Sequence, residues 1–344
     1  MQNPNQNTNS YNDDFDKKFK QFKQEEDDSE HWVKKFADGL ITDEDLSSAD
    51  LKEQKLIVGD WWHEGDLGYI YGARGLGKTW LSMLLAKGLA LKTKAGPWHV
   101  YDEHKVLYLD GENAAKEMKK RTTMLGKPTE NLVYATHQIL FERINGVMNI
   151  ADIELQTAIY DYCVASSVDI VFLDNLSCLA TGIDENAGGD HEKLLPWLLQ
   201  LRRANISVAF VHHAGRGGKM RGHSKREDAA AWIIKLIGAT GDEQHGAQFT
   251  TTFEKYRGCE NQPKSYEWCF RQVNGELDLI VKELGNLAVF RELVESGLES
   301  CTDIAEEMGF SKAYVCKLAK RAESEGWLTI TKGRYNIKRP DQPF

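Results

Sequence analysis

No two of the six cysteines (Cys163, Cys178, Cys259, Cys269, Cys301, Cys316) stand in C-x-x-C spacing. That argues against a zinc site and against a disulfide framework, and leaves reduced, interior thiols as the expectation. No apolar run approaches the length needed to cross a membrane, and the polar N-terminus carries no signal-peptide core. A membrane partner is therefore not expected, and a cytoplasmic location is. Excess positive charge is missing too. The net charge of −9 excludes a generally basic coat for nucleic acid, although it averages over local basic segments. There is no internal repeat. What is present is 344 residues, enough for one large domain plus a small one.

Four segments follow from composition and periodicity. Residues 1–30 are Asn/Gln-rich and then mixed in charge, with too little apolar content for a core; they read as a disordered tail with at most a fraying helix near Phe15–Phe22. Residues 31–55 form a helical linker, with Trp32, Val33 and Phe36 on a short amphipathic helix. Over 56–283 strands and helices alternate, which predicts an α/β domain with a largely parallel sheet. Its expected strands are Gly68–Tyr71, Lys105–Leu109, Asp169–Leu173, Val208–His212 and Phe249–Phe253. Over 284–344 the pattern changes to short helices followed by a Thr/Tyr-containing ribbon.

Within the α/β segment, Gly72-Ala73-Arg74-Gly75-Leu76-Gly77-Lys78-Thr79 fits G-x-x-x-x-G-K-[ST] without a mismatch. A chance match in a chain of this length is an event of about one in a hundred. Leu67–Tyr71 before it reads as a buried strand. After it, Trp80 to Leu91 reads as a helix with Leu81, Leu84, Leu85 and Leu89 on one face. Strand, glycine loop and helix are what phosphate binding requires. The glycines let backbone N–H groups curl around phosphate oxygens, and the helix N-terminus adds its positive dipole end. Residues 72–79, with Trp80 at the helix start, are the expected contacts of ATP. Lys78 would reach the β- and γ-phosphates, and the Thr79 hydroxyl would ligate Mg²⁺. Strand Asp169–Leu173 ends in Asp174, at the carboxyl edge where open α/β sheets bind ligands. Asp174 would hold Mg²⁺ or its water.

The phosphate loop, Tyr108-Leu109-Asp110-Gly111-Glu112, Phe172-Leu173-Asp174 and Phe210-Val211-His212-His213 follow one another in an order that resembles the RecA-like P-loop ATPases. Over roughly Leu56–Val281 the chain looks most like the RepA-type plasmid replicative helicases, with the DnaB-type helicases as more distant relatives. By residues alone, Glu112 is a strand-end carboxylate that serves equally as a base or as a surface acid. The resemblance implies that it activates the attacking water. It also implies a polar sensor at His212 or His213, with His213 preferred, although a register shift of one residue exchanges their faces. The glycine- and cation-rich loop after the histidines carries Arg216, Lys219, Arg221, Lys225 and Arg226. A solvated charged face is one reading of it; the resemblance implies a loop holding single-stranded DNA in the central channel of a homo-oligomeric, hexameric ring. Lys255 and Arg257 match a Lys-x-Arg pair that DnaB-type helicases direct at a neighbouring subunit's γ-phosphate; otherwise they are strand-end surface cations.

In the last segment, Ser300, Thr302 and Ser311 are cap candidates and Gly297, Gly309 and Gly326 are stop candidates for three helices, followed by two strands around Lys332-Gly333-Arg334. The pattern is similar to a winged helix-turn-helix. Lys312, Lys317, Lys320 and Arg321 on its third helix, with Lys332 and Arg334 on the wing, suit double-stranded DNA. Winged helices also serve as protein-interaction modules. Two functions stay open: an ATP-driven helicase of a plasmid, phage or mobile element, and a non-motor regulatory or recombination ATPase whose nucleotide state switches DNA or partner binding. A kinase reading finds no phospho-acceptor signal.

Overall fold

The computed structural model describes residues 32–51, 53–181, 193–215, 228–238, 246–259, 263–273 and 275–338. The tail expected over 1–30, the segment 182–192 and the loop cations Arg216, Lys219, Arg221, Lys225 and Arg226 lie outside the described residues. The chain divides into two units, 1–53 and 54–344. In the first, helices cover 32–38 and Asp43–Ser48. Thr42 caps the second of these, its hydroxyl accepting the Asp45 N–H at 3.1 Å.

The second unit is built on a nine-stranded sheet, preceded by a small two-stranded ribbon, β1 (Leu56–Val58) with β2 (Trp62–His63). Six strands of the large sheet run parallel: β3 (Leu67–Gly72), β4 (Val106–Asp110), β5 (Leu132–Thr136), β6 (Ile170–Asp174), β7 (Ser207–His213) and β8 (Trp232–Gly238). Three antiparallel strands extend it: β9 (Ala247–Tyr256), β10 (Ser265–Val273) and β11 (Glu276–Leu284). The order across the sheet is β11-β10-β9-β8-β3-β7-β6-β4-β5. The architecture is mixed α/β with a parallel-dominated centre, as expected. The five strands read from the sequence are present. Strands β5, β8, β10 and β11 were not anticipated, because Lys235 interrupts the apolar run of β8 and the β10–β11 hairpin carries charges on its half-exposed faces.

Each face of the sheet has its own apolar layer. On one side the helix Lys78–Leu91 packs with an aromatic cluster of Trp61, Trp62, Trp98, Trp232, Phe253 and Trp268. Close approach is required there: a Cβ on Gly68 would lie 1.9 Å from the Trp232 ring. The helix is buried on nearly all sides rather than along the single leucine face, since Met83, Ala86, Gly88 and Ala90 are interior as well. The other face is covered by the helices Ile153–Ala165 and Leu195–Arg203.

The last residues form helices Asn286–Glu295, Cys301–Met308 and Lys312–Ser324, then the ribbon β12 (Leu328–Thr331) and β13 (Arg334–Ile337). Ser300 and Ser311 cap the second and third helices by accepting the N–H of Asp303 and Tyr314; Thr302 lies inside the second helix instead. These elements share one core, which Ile237 of β8 joins. A buried ionic cluster also connects them to the sheet. The Lys235 ammonium stands 2.5 Å from Glu307 and 3.5 Å from Glu254, and the Tyr71 hydroxyl donates to Glu254. Burial, together with Glu307, pushes the Glu254 carboxyl up to about 8.

Candidate nucleotide site

The site lies at the carboxyl edge of four adjacent parallel strands. Gly72 ends β3 in register with His213 of β7, and Asp174 ends β6 in register with Asp110 of β4. From Gly72 the chain turns through an exposed arc, Ala73 to Gly75, into the helix that begins at Lys78. Gly77 caps that helix with φ +95°, and a Cβ there would come within 2.5 Å of Ala247 and 2.9 Å of Phe249. Only glycine lets the loop sit this close to β9.

Lys78 is buried and donates to the carbonyls of Gly72 at 3.1 Å and Ala73 at 2.7 Å. Burial holds its ammonium down to about 8, against the pull of Asp174 and Glu112. Asp174 is also buried. Its Oδ2 accepts the Tyr108 hydroxyl at 2.7 Å, and the Thr79 hydroxyl bonds to the same carboxylate. Burial, then the neighbouring Asp110, push Asp174 up to about 6. Ser82 completes the support, 2.7 Å from the Tyr108 hydroxyl.

Asp110 shapes the turn that presents Glu112. Its carboxylate accepts the backbone N–H of Glu112 at 3.0 Å and of Asn113 at 2.6 Å, and the Asn113 side-chain amide at 2.7 Å. Glu112 is half-exposed, its Oε2 accepting the Asn175 amide and lying 3.7 Å from His213 Nε2. Asn175 is buried between them: its Nδ2 is 3.2 Å from His213 Nε2, and its Oδ1 caps the helix Leu176–Leu179 through the Cys178 N–H. The cap fixes which side of the amide faces Glu112. His212 is wholly buried and alternates to the opposite face of β7.

These groups surround a cleft of about 360 Å³ lined by Gly75, Gly77, Lys78, Thr79, Trp80, Glu112, Arg121, Asp174, Asn175 and His213. A larger cavity of about 760 Å³ lies behind the loop, against the turn Ser296–Ser300. The cation, hydroxyl and carboxylates converge on the smaller one. Asn175 and Arg121 escaped the sequence reading, and Asp110 stood in its motif without a role of its own. Arg121 donates to Asn113 Oδ1 at 3.1 Å and lies 5.5 Å over the Trp80 ring. Asp110 next to the Gly-Glu step was the available signal; the other two are recognised only by where they end up.

The residues fit the ligands expected. The Gly77 cradle, which a Cβ would fill, and the inward Lys78 suit a polyphosphate. The Thr79 hydroxyl and Asp174 carboxylate are the hard oxygen donors that magnesium takes together with phosphate oxygens and water. Among the described residues no group of three His, Cys, Asp or Glu could hold a metal ion, so a cation here would be shared between protein and phosphate.

Lys255 and Arg257 are elsewhere. Strand β9 starts at Ala247 beside Gly77 and runs antiparallel to β8, ending with Tyr256 opposite Trp232. Phe249 also lies against Gly77, and the six residues from there to Lys255, at about 3.4 Å each, carry it about 20 Å along the strand. A bulge at Ile233/Ile234 precedes it, and Arg257 donates to the Asp228 carbonyl at 3.1 Å. On the C-terminal elements Lys312, Lys317, Lys320, Arg321, Lys332 and Arg334 are all exposed. Two of them have acidic partners: Glu325 lies 2.9 Å from Arg321, and Glu299 lies 3.2 Å from Arg334.

A family model described as an AAA domain matches residues 34–219, more than half of the chain. The DNA repair protein RadA of Campylobacter jejuni is 28% identical over 176 residues, which is 51% of this chain and 34% of that protein. The chain thus spans about a third of that relative's length. A KaiC-like protein from Pyrococcus horikoshii superposes with a TM-score of 0.46 at 15% identity, over 64% of this chain and 91% of that one.

Proposed function

The chain belongs to the AAA domain family of RecA-like ATPases, and from that premise we propose that it hydrolyses ATP to drive movement on DNA, as a hexameric replicative helicase of a plasmid, phage or mobile element. The observation that carries the hydrolytic part is the meeting of Lys78, Thr79, Asp174, Glu112 and His213 in one cleft. Lys78 and the loop amides hold the β- and γ-phosphates. Thr79 and Asp174 would hold magnesium, which would supply positive charge against the phosphate oxygens. Glu112, in contact with the cleft, accepts the proton of the attacking water. Asn175 orients the Glu112 carboxylate, and through Asn175 the state of the γ-phosphate reaches His213 and the loop that follows β7.

The placement of Lys255 and Arg257 supports assembly. At the far edge of the sheet they cannot reach their own phosphate loop, so a role at the nucleotide requires a neighbouring copy. Arg216, Lys219, Arg221, Lys225 and Arg226 are proposed to hold single-stranded DNA in the ring. The three C-terminal helices and ribbon are proposed to act as a winged helix on duplex DNA. The similarity to RadA, named for DNA repair, favours a second reading: a recombination or regulatory ATPase that switches on DNA without unwinding it.

Strand displacement on a forked duplex separates the two. The motor requires ATP-dependent unwinding that Lys78→Ala abolishes; DNA-stimulated hydrolysis without unwinding would select the switch. Mixing Arg257→Ala with Lys78→Ala subunits tests the neighbour's finger, since mixed interfaces would restore hydrolysis above the sum of the two parents.

A further inference from the structure

Two thiols on the C-terminal elements stand apart from the other four. Cys301 opens the helix Cys301–Met308 and Cys316 lies on the helix Lys312–Ser324, with their sulfurs 3.5 Å apart. Cys316 is exposed, so a small oxidant reaches it, and Cys301 is half-buried directly behind it. Cys316 is four residues from both Lys312 and Lys320 and next to Lys317, in the middle of a cationic helix face. The other thiols are differently placed. Cys163 is buried, and burial pushes its thiol up to about 12. Cys259 is likewise pushed up to about 11 and donates to the Asp60 carbonyl. Neither Cys178 nor Cys269 has a sulfur partner among the described contacts. The sequence led us to expect interior thiols throughout; only Cys163 is buried, four are half-buried and Cys316 is exposed, which corrects that expectation.

We propose that Cys301 and Cys316 are a reversible oxidation site, in which a peroxide converts the two thiols to an intrachain disulfide. The Cys316 thiolate attacks one peroxide oxygen. The O–O bond breaks, and the leaving hydroxide takes a proton to become water, leaving a sulfenic acid on Cys316. The Cys301 sulfur then attacks the Cys316 sulfur; the S–O bond breaks, the S–S bond forms, and the Cys301 proton leaves with the hydroxide as a second water. Both sulfurs are oxidised and one peroxide is reduced. Side-chain rotation has to close the gap from 3.5 Å to about 2.05 Å, the length of an S–S bond. Cys301 suits the resolving role, because burial raises its thiol and withholds it from first attack. The bond would fasten the start of the helix Cys301–Met308 to the cationic helix and replace the present contact of the Cys301 thiol with the Lys312 carbonyl, 3.5 Å away.

The test uses the reduced full chain exposed to graded hydrogen peroxide, followed by alkylation, digestion and mass spectrometry. The expected result is a peptide pair joined through Cys301 and Cys316, with two of the six thiols lost, the other four alkylated, and full reversal by dithiothreitol. The variants test the roles. Cys301→Ser should leave Cys316 as a sulfenic acid that dimedone traps, whereas Cys316→Ser should leave Cys301 alkylated at the same dose. Circular dichroism of each variant ensures that the comparison is made on folded protein. Alkylation of both Cys301 and Cys316 at doses that oxidise any of the other four would overturn the proposal. So would a bond that forms only in urea, or coupling of Cys316 to a second chain in preference to Cys301.

Discussion

Lys78 and Lys235 are both buried lysines set beside two carboxylates, Asp174 and Glu112 for the first, Glu254 and Glu307 for the second. They differ in what the ammonium touches. Lys78 donates to two carbonyls of its own loop, and its neighbouring acids answer to Tyr108, Thr79 and Asn175. Lys235 closes directly on both of its acids. Where backbone holds the cation off, lysine and acids remain available to a ligand, and the carboxylates bear the cost of burial until a cation arrives. Where cation and acids meet, the cluster is compensated from within and serves to hold the C-terminal helices on the sheet. Chemically similar parts are thus left open to a ligand in one place and closed into architecture in the other.

The largest break in this comparison comes from Lys78→Ala. Loss of the charge on the β- and γ-phosphates should lower ATP hydrolysis by about a thousandfold or more, with little change in melting temperature, because Lys78 holds no acid in a direct ion pair. Phosphate release and thermal unfolding measured on one preparation decide it. Glu112→Gln should cut turnover by about a hundredfold or more while ATP binding persists, since the amide keeps the shape and loses the base; hydrolysis at the parent rate would remove Glu112 from its role.

Lys235→Met should behave oppositely. It leaves the buried Glu254–Glu307 pair with no cation and should cost about 3 kcal/mol of stability, while nucleotide binding by folded protein is retained. Chemical denaturation followed by fluorescence reads this, and an unchanged midpoint would end the architectural role.

The acids sharpen the contrast through pH. Glu254, raised to about 8, keeps in the folded state a proton that a glutamate with its ordinary value of 4.5 would release. Stability associated with Glu254 is therefore complete below about 4.5 and is lost as pH rises through about 8. Glu254→Gln should flatten that decline. Asp174, raised to about 6, has the same sign for stability, but magnesium requires its ionised form. Magnesium-dependent nucleotide binding should accordingly weaken as pH falls below about 6, approaching tenfold per pH unit at the limit of a single proton. A titration of a fluorescent nucleotide across pH 5 to about 8 checks this smallest effect.

What was legible in the chain was whatever consecutive residues enforce. The strand, loop and helix around residues 72–79 follow from local backbone needs, as do the Ser300 and Ser311 caps and the apolar strands that end in Asp110 and Asp174. Strand β8 was obscured by Lys235, whose charge makes sense only once Glu254 and Glu307 are beside it. Asn175 looked like a residue after a motif rather than part of one. It gains its place because β4, β6 and β7 lie side by side, which joins residues 63 and 38 positions apart in the chain.

By itself, then, the sequence determined a phosphate loop, the strand-end carboxylates and a mixed α/β core, because a glycine turn, a helix N-terminus and apolar strands are set by neighbours along the chain. Only the tertiary structure decided which carboxylates would face a cleft and which would be neutralised by a lysine. It also decided which histidine meets Glu112, that Lys255 and Arg257 stand at the opposite edge from the loop, and that Cys301 meets Cys316. Each of these depends on strand order, register and helix packing, and burial then gives identical side chains different charges.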